Sequence, residues 1–580
     1  MHSFSSRLAG GALAAALLAV TAAQADAAPS IKVKHKTLTV KGSGKSDKLA
    51  LRLHSGDPGT LDVDVGDDGS ADFSVARNRV ARILVKARGG DDQVRIDDAN
   101  GAFTTTIPTT IDGGSGKDTL LGGAGAEKLL GGRGADTVDG NGGNDNADLG
   151  GGDDRFIWDP GDGSDNVEGR GGHDAMTFNG SDVNESFHAS ANGARARFTR
   201  NVGSIVMDLD GVEQVDLAAK GGADDLTVDD LAATDLRAVN SDLATDGAAD
   251  KVVVNGTGGK DTITATGSAG NATVAGLAAT VRLTGAEAAN DTLIVNALGG
   301  DDNIDAAGLA ASALKLTEDG GADNDTLLGG GGADTQLGGD GNDTIDGNQG
   351  NDVALMGAND DRFIWDPGDG SDTIEGQDGS DTLTFNGSNA NENFDVSANG
   401  QRVRFVRNVG NIVMDLNDVE RIDTNALGGV DNLTVSDLSG TDLTTVNGDL
   451  AATLGGSTGD GQADQVIVNA TAGNDVVTAG GSAGTADVTG LAARVHVAHA
   501  EAANDTLAIN TLAGDDVVEA SGLAADAIRL TADGGDNDDV LIGGAGDDTL
   551  LGQAGDDVLI GGPGQDVLDG GPGNNIVIQD

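Results

Sequence analysis

The sequence predicts an all-β protein in which short parallel strands wind into a β-solenoid. Three observations predict this fold. A nine-residue pattern, G-G-x-G-x-D-x-U-x with U a large apolar residue, recurs in phase in three blocks of the 580-residue chain, and a fixed internal period is typical of repeat architectures. The 95 glycines and only 2% aromatic residues leave too few large side chains to fill a conventional core, so small ones must be buried in a regular stack. After the N-terminal segment, no stretch has the apolar spacing of a long amphipathic helix.

The first 25 residues predict a Sec-type signal peptide. Arg7 supplies a positive charge, residues 8–20 form an apolar segment, and Ala23 and Ala25 fit a small-x-small cleavage site. We therefore expect the mature protein to be secreted, to the extracellular space or the cell surface. No later segment approaches the run of about twenty apolar residues that a membrane-spanning helix requires, so no membrane span is expected once the signal is removed.

The repeats divide the remainder of the chain into six predicted segments. The motif DDRFIWDPGDGSD occurs at Asp153–Asp165 and again, 207 residues later, at Asp360–Asp372, which indicates a long unit used twice. Between the blocks, Gly-Asp turns such as GGADDLTV at Gly221–Val228 lead into alternating β-formers, the pattern of short strands. The segments are an N-terminal β segment (26–111), the first nonapeptide block (112–180), a degenerate β-solenoid segment (181–318), the second block (319–387), a duplicate degenerate segment (388–532) and the third block (533–580).

Each nonapeptide combines a glycine-rich turn with a three-residue strand. Glycine at the first, second and fourth positions permits positive φ angles and a close approach of the backbone to an ion, and the aspartate at the sixth position adds a charged oxygen. Carbonyl and carboxylate oxygens without nitrogen or sulfur suit Ca²⁺ better than zinc or copper. The residues x-U-x then form a strand whose middle side chain faces inward. Two nonapeptides are predicted to complete one turn, so that an ion would lie between the loops of successive turns.

The formal net charge of −59, from 94 acidic and 35 basic residues, favours cations as partners and argues against nucleic acid or anionic lipid. Stacked repeats place successive carboxylates about 5 Å apart, one strand spacing, and their repulsion is tolerable only when cations lie between them. The alternative is that Gly-Asp turns fold a solenoid without metal. For isolated turns such as Gly221–Val228 we prefer that alternative, and for five consecutive repeats in phase we prefer calcium.

The three blocks resemble the RTX, or haemolysin-type calcium-binding, repeats, whose fold is the parallel β-roll. The resemblance is close in the blocks and loose between them. It implies that several Ca²⁺ ions bind and that the acids at the sixth position are their ligands. These acids are Asp118, Asp136, Asp145, Asp154, Asp174, Asp325, Asp334, Asp343, Asp352, Asp361, Asp381, Asp539, Asp548, Asp557 and Asp566.

Several positions depart from the repeat pattern. Glu127 replaces the aspartate of one repeat, and its longer side chain is expected to crowd the site. Gln336 replaces an inward apolar residue and should weaken its strand, and Asn575 suggests a capping turn with little or no calcium. The insertion WDPGDGSD breaks the nine-residue phase in both units, where we expect a bulge. The aromatic residues beside it are expected to cover local apolar surface, and they are Phe156, Trp158, Phe363 and Trp365.

No catalytic motif supports an enzyme. The sequence contains no HExxH, and the HxxH formed by His496 and His499 lies in an alternating strand pattern without a nearby third ligand. We therefore predict a secreted calcium-binding protein, not an enzyme, whose β-roll folds on binding Ca²⁺ and which has a structural or adhesive role outside the cell or at its surface. Its partners would be calcium, cell-surface or matrix polymers, or further copies of itself. The alternative is a secreted enzyme or enzyme accessory, for example one acting on polysaccharide, with activity in the degenerate segments.

Overall fold

The computed structural model describes residues 28–579. The predicted signal peptide at residues 1–25 therefore lies outside the described residues. The described chain forms 53 β-strands and four 3₁₀ helices, without an α-helix between residues 28 and 579. Over the same range, no helix has the length and apolar character needed to cross a membrane. The fold is all-β, as predicted.

The strands wind as a solenoid of two long, mainly parallel sheets. Within the first block, Leu129 pairs with Ile111 of the preceding turn and with Ala147 of the following turn, each 18 residues away. Two nonapeptides therefore complete one turn and contribute one strand to each sheet, as predicted. The predicted parallel β-roll or β-solenoid is confirmed.

The first sheet, called sheet 1 below, has 26 strands within the described part of the chain. They are Ser30–Lys34, Thr37–Lys41, Arg82–Gly89, Thr109–Ser115, Lys128–Arg133, Asn146–Gly151, Asn166–Gly171, Ser186–Asn192, Arg195–Arg200, Ile205–Asp210, Asp225–Val228, Lys251–Asn255, Thr292–Asn296, Lys315–Ala322, Thr335–Asp340, Val353–Ala358, Thr373–Asp378, Asn393–Asn399, Arg402–Arg407, Ile412–Asn417, Asn432–Val435, Gln465–Asn469, Thr506–Asn510, Arg529–Asp533, Thr549–Leu551 and Val567–Asp569.

The remaining strands form sheet 2. They are Lys48–His54, Asp57–Val65, Phe73–Ala76, Gln93–Asp97, Thr119–Leu121, Thr137–Asp139, Arg155–Trp158, Ala175–Asn179, Gln214–Ala218, Ala238–Asp242, Thr262–Ser268, Asn271–Ala275, Thr280–Thr284, Asn303–Leu309, Thr326–Leu328, Thr344–Asp346, Arg362–Trp365, Thr382–Asn386, Arg421–Asn425, Thr445–Asp449, Val476–Gly481, Ala486–Thr489, Arg494–Ala498, Val517–Leu523, Val540–Ile542, Val558–Ile560 and Ile576–Ile578. The 3₁₀ helices are Arg77–Arg79, Asp98–Asn100, Val202–Ser204 and Val409–Asn411.

Each degenerate segment adds two antiparallel meanders to this winding. In the first unit, Ser186–Asn192, Arg195–Arg200 and Ile205–Asp210 pair antiparallel in sheet 1. The last of these also pairs in parallel with Asn166–Gly171, which joins the meander to the solenoid. Equivalent meanders occur in sheet 2 and in the second unit. Parallel stacking therefore continues through the degenerate segments.

The apolar residue at the centre of each short strand faces inward. Leu120 and Val138, which pair on successive strands of sheet 2, have no exposed surface. The inward side chains of both sheets form one continuous hydrophobic core. Because every turn adds an aliphatic residue from each sheet, the core grows with the chain and needs few large side chains.

The aromatic residues beside the WDPGDGSD insertions lie inside this core, so the prediction that they cover local surface is wrong. Trp158 is fully buried and stacks on Phe178 with ring centroids 4.0 Å apart. Its Nε1 donates to the carbonyl oxygen of Gly163 at 2.8 Å, so the indole holds the inserted turn from within. Three further aromatic residues at the insertions are equally buried: Phe156, Phe363 and Trp365.

Gln336 lies at an inward position, and its strand, Thr335–Asp340, pairs with a neighbour on each side. Its buried Nε2 donates to Oε2 of Glu318 on the preceding strand at 2.8 Å. The lost apolar residue is therefore replaced by a buried polar pair, which the sequence pattern did not indicate.

Candidate metal centre

The sixth-position acids stack in columns that follow the winding of the solenoid. The backbone N–H of Asp118 donates to Oδ1 of Asp136 at 2.8 Å, and the N–H of Asp136 donates to Oδ1 of Asp154 at 2.6 Å. Most acids in such a column, called a carboxylate ladder below, use one oxygen to hold the preceding turn. The ladder results from the repeat, because residues 18 apart in sequence lie one above the other.

The structure places all fifteen predicted ligands in these ladders, where fourteen are buried and Asp566 is partly exposed. They do not converge on a single centre, and they form two ladder sections in each block. The sections join Asp118, Asp136, Asp154 and Asp174; Asp145 and Asp165; Asp325, Asp343, Asp361 and Asp381; Asp334, Asp352 and Asp372; Asp539 and Asp557; and Asp548 and Asp566.

Most of these acids have a second carboxylate oxygen that is buried and accepts no hydrogen bond. In Asp334 and Asp548 this Oδ2 accepts from a backbone N–H, that of Gly330 at 2.6 Å and that of Gly544 at 2.7 Å, and in Asp566 it accepts from a glutamine side chain. A buried carboxylate oxygen without a partner is unfavourable, so the remaining ladder aspartates require a proton or a cation at this oxygen. They are Asp118, Asp136, Asp145, Asp154, Asp174, Asp325, Asp343, Asp352, Asp361, Asp381, Asp539 and Asp557.

Asn575 shows what this second oxygen faces. Asn575 holds the sixth position of the last repeat, and its Oδ1 accepts from the N–H of Asp557 at 2.8 Å, as a ladder aspartate does. Its Nδ2 donates to the carbonyl oxygens of Gly570 at 2.6 Å and Gly571 at 3.0 Å. In an aspartate repeat an oxygen replaces that nitrogen, so carboxylate and carbonyl oxygens face each other without a hydrogen between them. Such a cluster of oxygens is the ligand set of a hard cation.

Glycine at the first repeat position is required for space and not, as predicted, for a positive φ. A Cβ added to Gly113 would lie 2.5 Å from Oδ2 of Asp118 and 2.8 Å from the carbonyl oxygen of Gly131. Both oxygens therefore lie in the space that a side chain would fill. The second and fourth positions of the first repeat do adopt positive φ, at 108° in Gly114 and 126° in Gly116, where glycine is favoured.

Burial raises the pKa values of several ladder acids. It raises the pKa of Asp145 to about 9, and the nearby carboxylates of Asp165 and Glu127 add to this increase. Burial likewise raises the pKa of Asp361 to about 8 and that of Asp136 to about 6. The hydrogen bond from the preceding turn lowers each pKa without offsetting desolvation. At neutral pH, the ionised ladder is therefore unfavourable unless a cation compensates.

A cation in a ladder would take most of its ligands from the backbone. Between residues 28 and 579, no three Asp, Glu or His side chains converge closely enough to hold a metal by themselves. The glycine-rich loops supply carbonyl oxygens instead, as the contacts of Asn575 show. Oxygen ligands of this kind fit Ca²⁺, which accepts about six to eight of them in flexible geometry.

The ladders extend beyond the repeats, into Gly-Asp turns that the sequence pattern alone did not assign to them. The N–H of Asp92 donates to Oδ1 of Asp118 at 2.8 Å. Asp165 and Asp372, within the insertions, also take ladder positions, although each follows the preceding ladder acid by 20 residues and not by 18. A glycine-rich turn that ends in aspartate before a β-former is the sequence signal they share. The additional acids with an unpartnered buried oxygen are Asp92, Asp165, Asp224, Asp302, Asp372, Asp431 and Asp516.

Glu127 keeps the ladder position despite its longer side chain. Its N–H donates to Oδ1 of Asp145 at 2.6 Å, and its Oε2 accepts from the N–H of Gly123 at 2.9 Å. Asp334 and Asp548 accept in the same way from a glycine four residues earlier. The second repeat of every block therefore satisfies one carboxylate oxygen within its own turn, whereas the other oxygen of Glu127, Oε1, is buried without a partner.

Between residues 28 and 579, two ladder positions have a counter-ion supplied by the chain. The N–H of Glu185 donates to Oδ1 of Asp224 at 2.8 Å, which makes Glu185 a ladder residue. Arg200 donates to Oε1 of Glu185, and both side chains are buried. Arg407 and Glu392 repeat this pair in the second unit. The fold thus already places a cation against a ladder carboxylate at two of its turns.

Stacked glycine-rich turns with buried columns of carboxylates define this fold as a parallel β-solenoid. The family model of the RTX calcium-binding nonapeptide repeat, which covers four copies of the repeat, matches residues 110–126, 121–156, 319–354, 368–389, 533–568 and 542–577. These segments are RTX repeats, as the sequence resemblance predicted, and RTX repeats in general bind calcium. No curated protein matches the chain in sequence.

Proposed function

We propose that this protein is secreted, folds on binding several Ca²⁺ ions outside the cell, and then serves as a rigid structural or adhesive element. The ladder aspartates would hold the ions together with the carbonyl oxygens of the glycine-rich loops. The repeats and the ladder geometry support calcium binding, and the N-terminal sequence pattern supports export.

The observation that carries this proposal is the set of buried carboxylate oxygens that lack a hydrogen-bond partner. Without calcium, desolvation and mutual repulsion of these groups oppose folding at neutral pH. Calcium sites of extracellular proteins commonly bind at about 10⁻⁴–10⁻³ M, so the chain would remain expanded until it meets external calcium. The free energy of binding then becomes free energy of folding.

Two features favour a structural role over catalysis. The long unit is used twice, which lengthens the solenoid. The HxxH histidines each lie against an aspartate: Nδ1 of His496 is 2.8 Å from Asp487, and Nδ1 of His499 is 2.6 Å from Asp449. The alternative of a polysaccharide-acting enzyme is tested by incubating the folded protein with polysaccharides and measuring newly formed reducing ends.

Circular dichroism tests the proposal. The exported chain is recorded at neutral pH in excess chelator, then in excess Ca²⁺, with Mg²⁺ as the control cation. We expect the strand signal to appear with Ca²⁺ and not with Mg²⁺. A strand signal that is complete in chelator and unchanged by Ca²⁺ would overturn the proposed mechanism. N-terminal sequencing of protein recovered from the culture medium tests export separately, with a chain that begins at Asp26 as the expected result.

A further inference from the structure

One outward column of sheet 2 in the second unit has an arginine on every second strand. Five successive strands place Arg362, Thr382, Arg421, Thr445 and Arg494 in register. All three arginines are exposed. Because neighbouring strands lie about 4.8 Å apart, successive arginines of this arginine column stand about 10 Å apart.

The arginine column keeps hydrogen-bonding capacity for an external acceptor. In the described part of the chain, Arg362 has no acidic partner, and its Nε donates to a threonine hydroxyl. Arg421 donates through Nε to Asp423 at 2.8 Å, and Arg494 donates through one terminal nitrogen to Asp487. Each guanidinium therefore has further N–H groups available, in a chain whose net charge is −59.

Amide and hydroxyl groups lie beside the arginine column and line an open groove with it. Asn447 donates to Oδ1 of Asp423 at 2.5 Å on the neighbouring strand. One residue column further, Asn425 donates to Oδ1 of Asn386 at 2.7 Å. The arginines thus recur at a fixed interval along the groove, with neutral hydrogen-bonding groups between them and the carboxylates of Asp423 and Asp449 beside them.

The first unit lacks this pattern at the same register. Its column reads Arg155, Ala175, Gln214, Ala238 and Thr280. Gln214 therefore stands where the second unit has Arg421, and Thr280 stands where it has Arg494. Since the same fold forms without these two arginines, they are not required for its packing.

We propose that the arginine column binds an extended anionic polysaccharide with a carboxylate on every second sugar. This inference rests on the proposed extracellular role and names the partner for it. One pyranose ring advances such a polymer by about one strand spacing, so its carboxylates recur with the interval of the arginines. Guanidinium groups pair with carboxylates in a fixed, directional geometry, and the asparagine and threonine side chains suit sugar hydroxyls.

The overall negative charge of the protein does not prevent this contact. At physiological ionic strength, the screening length is about 8 Å, so distant acids act only weakly on a ligand in the groove. The nearby carboxylates are already paired: Asp423 with Arg421, Asp487 with Arg494, and Asp449 with His499. Single-stranded nucleic acid fits less well, because its phosphates follow one another more closely than the arginines do.

Isothermal titration calorimetry tests the proposal on the full exported chain in saturating Ca²⁺. The probe is a decasaccharide of alternating glucuronic acid and N-acetylglucosamine. We expect binding that weakens with added NaCl. The double variant Arg421→Gln and Arg494→Thr, which installs residues that the first unit has at these positions, should bind about tenfold or more weakly. Arg155→Gln is the matched control and should leave the affinity unchanged.

The proposal is overturned if the parent protein does not bind the decasaccharide, or if the double variant binds it as tightly as the parent. It is also overturned if a neutral glucan of equal length binds equally well, or if single-stranded DNA binds more tightly through the same arginines. Circular dichroism and calcium uptake are recorded on the same samples. If the protein folds with calcium but does not bind the decasaccharide, only the proposal for the arginine column is wrong. If the protein binds the decasaccharide but takes up no calcium, only the proposed calcium-dependent function is wrong.

Discussion

The guanidinium of Arg200 lies 5.3 Å from the centroid of the Trp158 ring and donates to Glu185, a member of a carboxylate ladder. One side of the guanidinium thus faces an aromatic ring, and its edge satisfies a buried carboxylate. Most ladder aspartates of the repeats have no such partner for their second oxygen. The pair therefore shows, within one fold, what a ladder carboxylate requires when it is buried.

Removing the arginine should destabilise the protein strongly. Arg200→Met leaves the buried carboxylate of Glu185 without a counter-ion, and we expect a loss of about 3–5 kcal/mol in the free energy of unfolding. The measurement is urea denaturation in saturating Ca²⁺. The double variant Arg200→Met and Glu185→Met should recover most of the loss. Equal stability of the parent and the single variant would contradict this assignment.

The calcium-free protein should be more stable at acidic than at neutral pH. Folding raises the pKa values of ladder acids from an ordinary value of 3.8 to about 6 in Asp136, 8 in Asp361 and 9 in Asp145. At a pH between the pKa of the unfolded state and that of the folded state, the folded state binds more protons. The stability that the ladder acids contribute is therefore present at low pH and falls as the pH rises through this range.

A pH titration followed by circular dichroism in chelator tests this dependence. We expect the strand signal to decrease between about pH 4 and pH 9, and to remain constant over the upper part of that range in excess Ca²⁺. A calcium-free strand signal that increases with pH would show that the ladder acids are not the groups that oppose folding.

Asp343→Asn should change calcium binding and calcium-free stability in opposite directions. The amide keeps the oxygen that accepts from the N–H of Asp325, and its nitrogen can donate to loop carbonyls as Asn575 does. We expect fewer calcium ions per chain, together with a gain of about 1 kcal/mol in calcium-free stability at neutral pH.

The control for this variant is Asp340→Asn, which removes the same charge from an exposed position of the same repeat. It should leave the number of bound calcium ions unchanged. Calcium uptake by equilibrium dialysis and urea denaturation in chelator measure the two effects. If both variants reduce calcium uptake equally, general charge and not the ladder position determines binding.

The buried pair of Gln336 and Glu318 should be sensitive to the loss of one partner. Burial raises the pKa of Glu318 to about 8, and its Oε2 depends on the amide of Gln336. Gln336→Leu should therefore cost about 1–3 kcal/mol in urea denaturation, and the double variant with Glu318→Leu should recover that loss. Additive losses in the double variant would show that the two side chains do not depend on each other.

The winding could be predicted from the sequence because the repeat fixes it locally. A period of nine with one apolar residue per strand brings Leu129 above Ile111, 18 residues earlier. The ladder acids of the blocks follow from the same period. No three-dimensional information was needed for these contacts.

The ladders of the degenerate segments could not be predicted from spacing. Asp224 follows Glu185 by 39 residues and precedes Asp250 by 26, because a meander lengthens the first of these turns and longer loops lengthen the second, without changing the distance between stacked strands. The prediction for Trp158 was wrong for a related reason. The insertion after it lengthens an outer turn and leaves the strand and its inward side chains in register. The counter-ion Arg200 comes from a meander strand, so no repeat pattern indicated it.

Calcium titration of the exported chain at neutral pH tests the central claim most directly. Bound ions are counted by calorimetry while circular dichroism follows the strand signal in the same solution. The account predicts that many ions bind cooperatively and that the strand signal appears in step with them. A chain that is already fully folded and binds little or no calcium would contradict it, because the unpartnered ladder oxygens would then be satisfied without a cation.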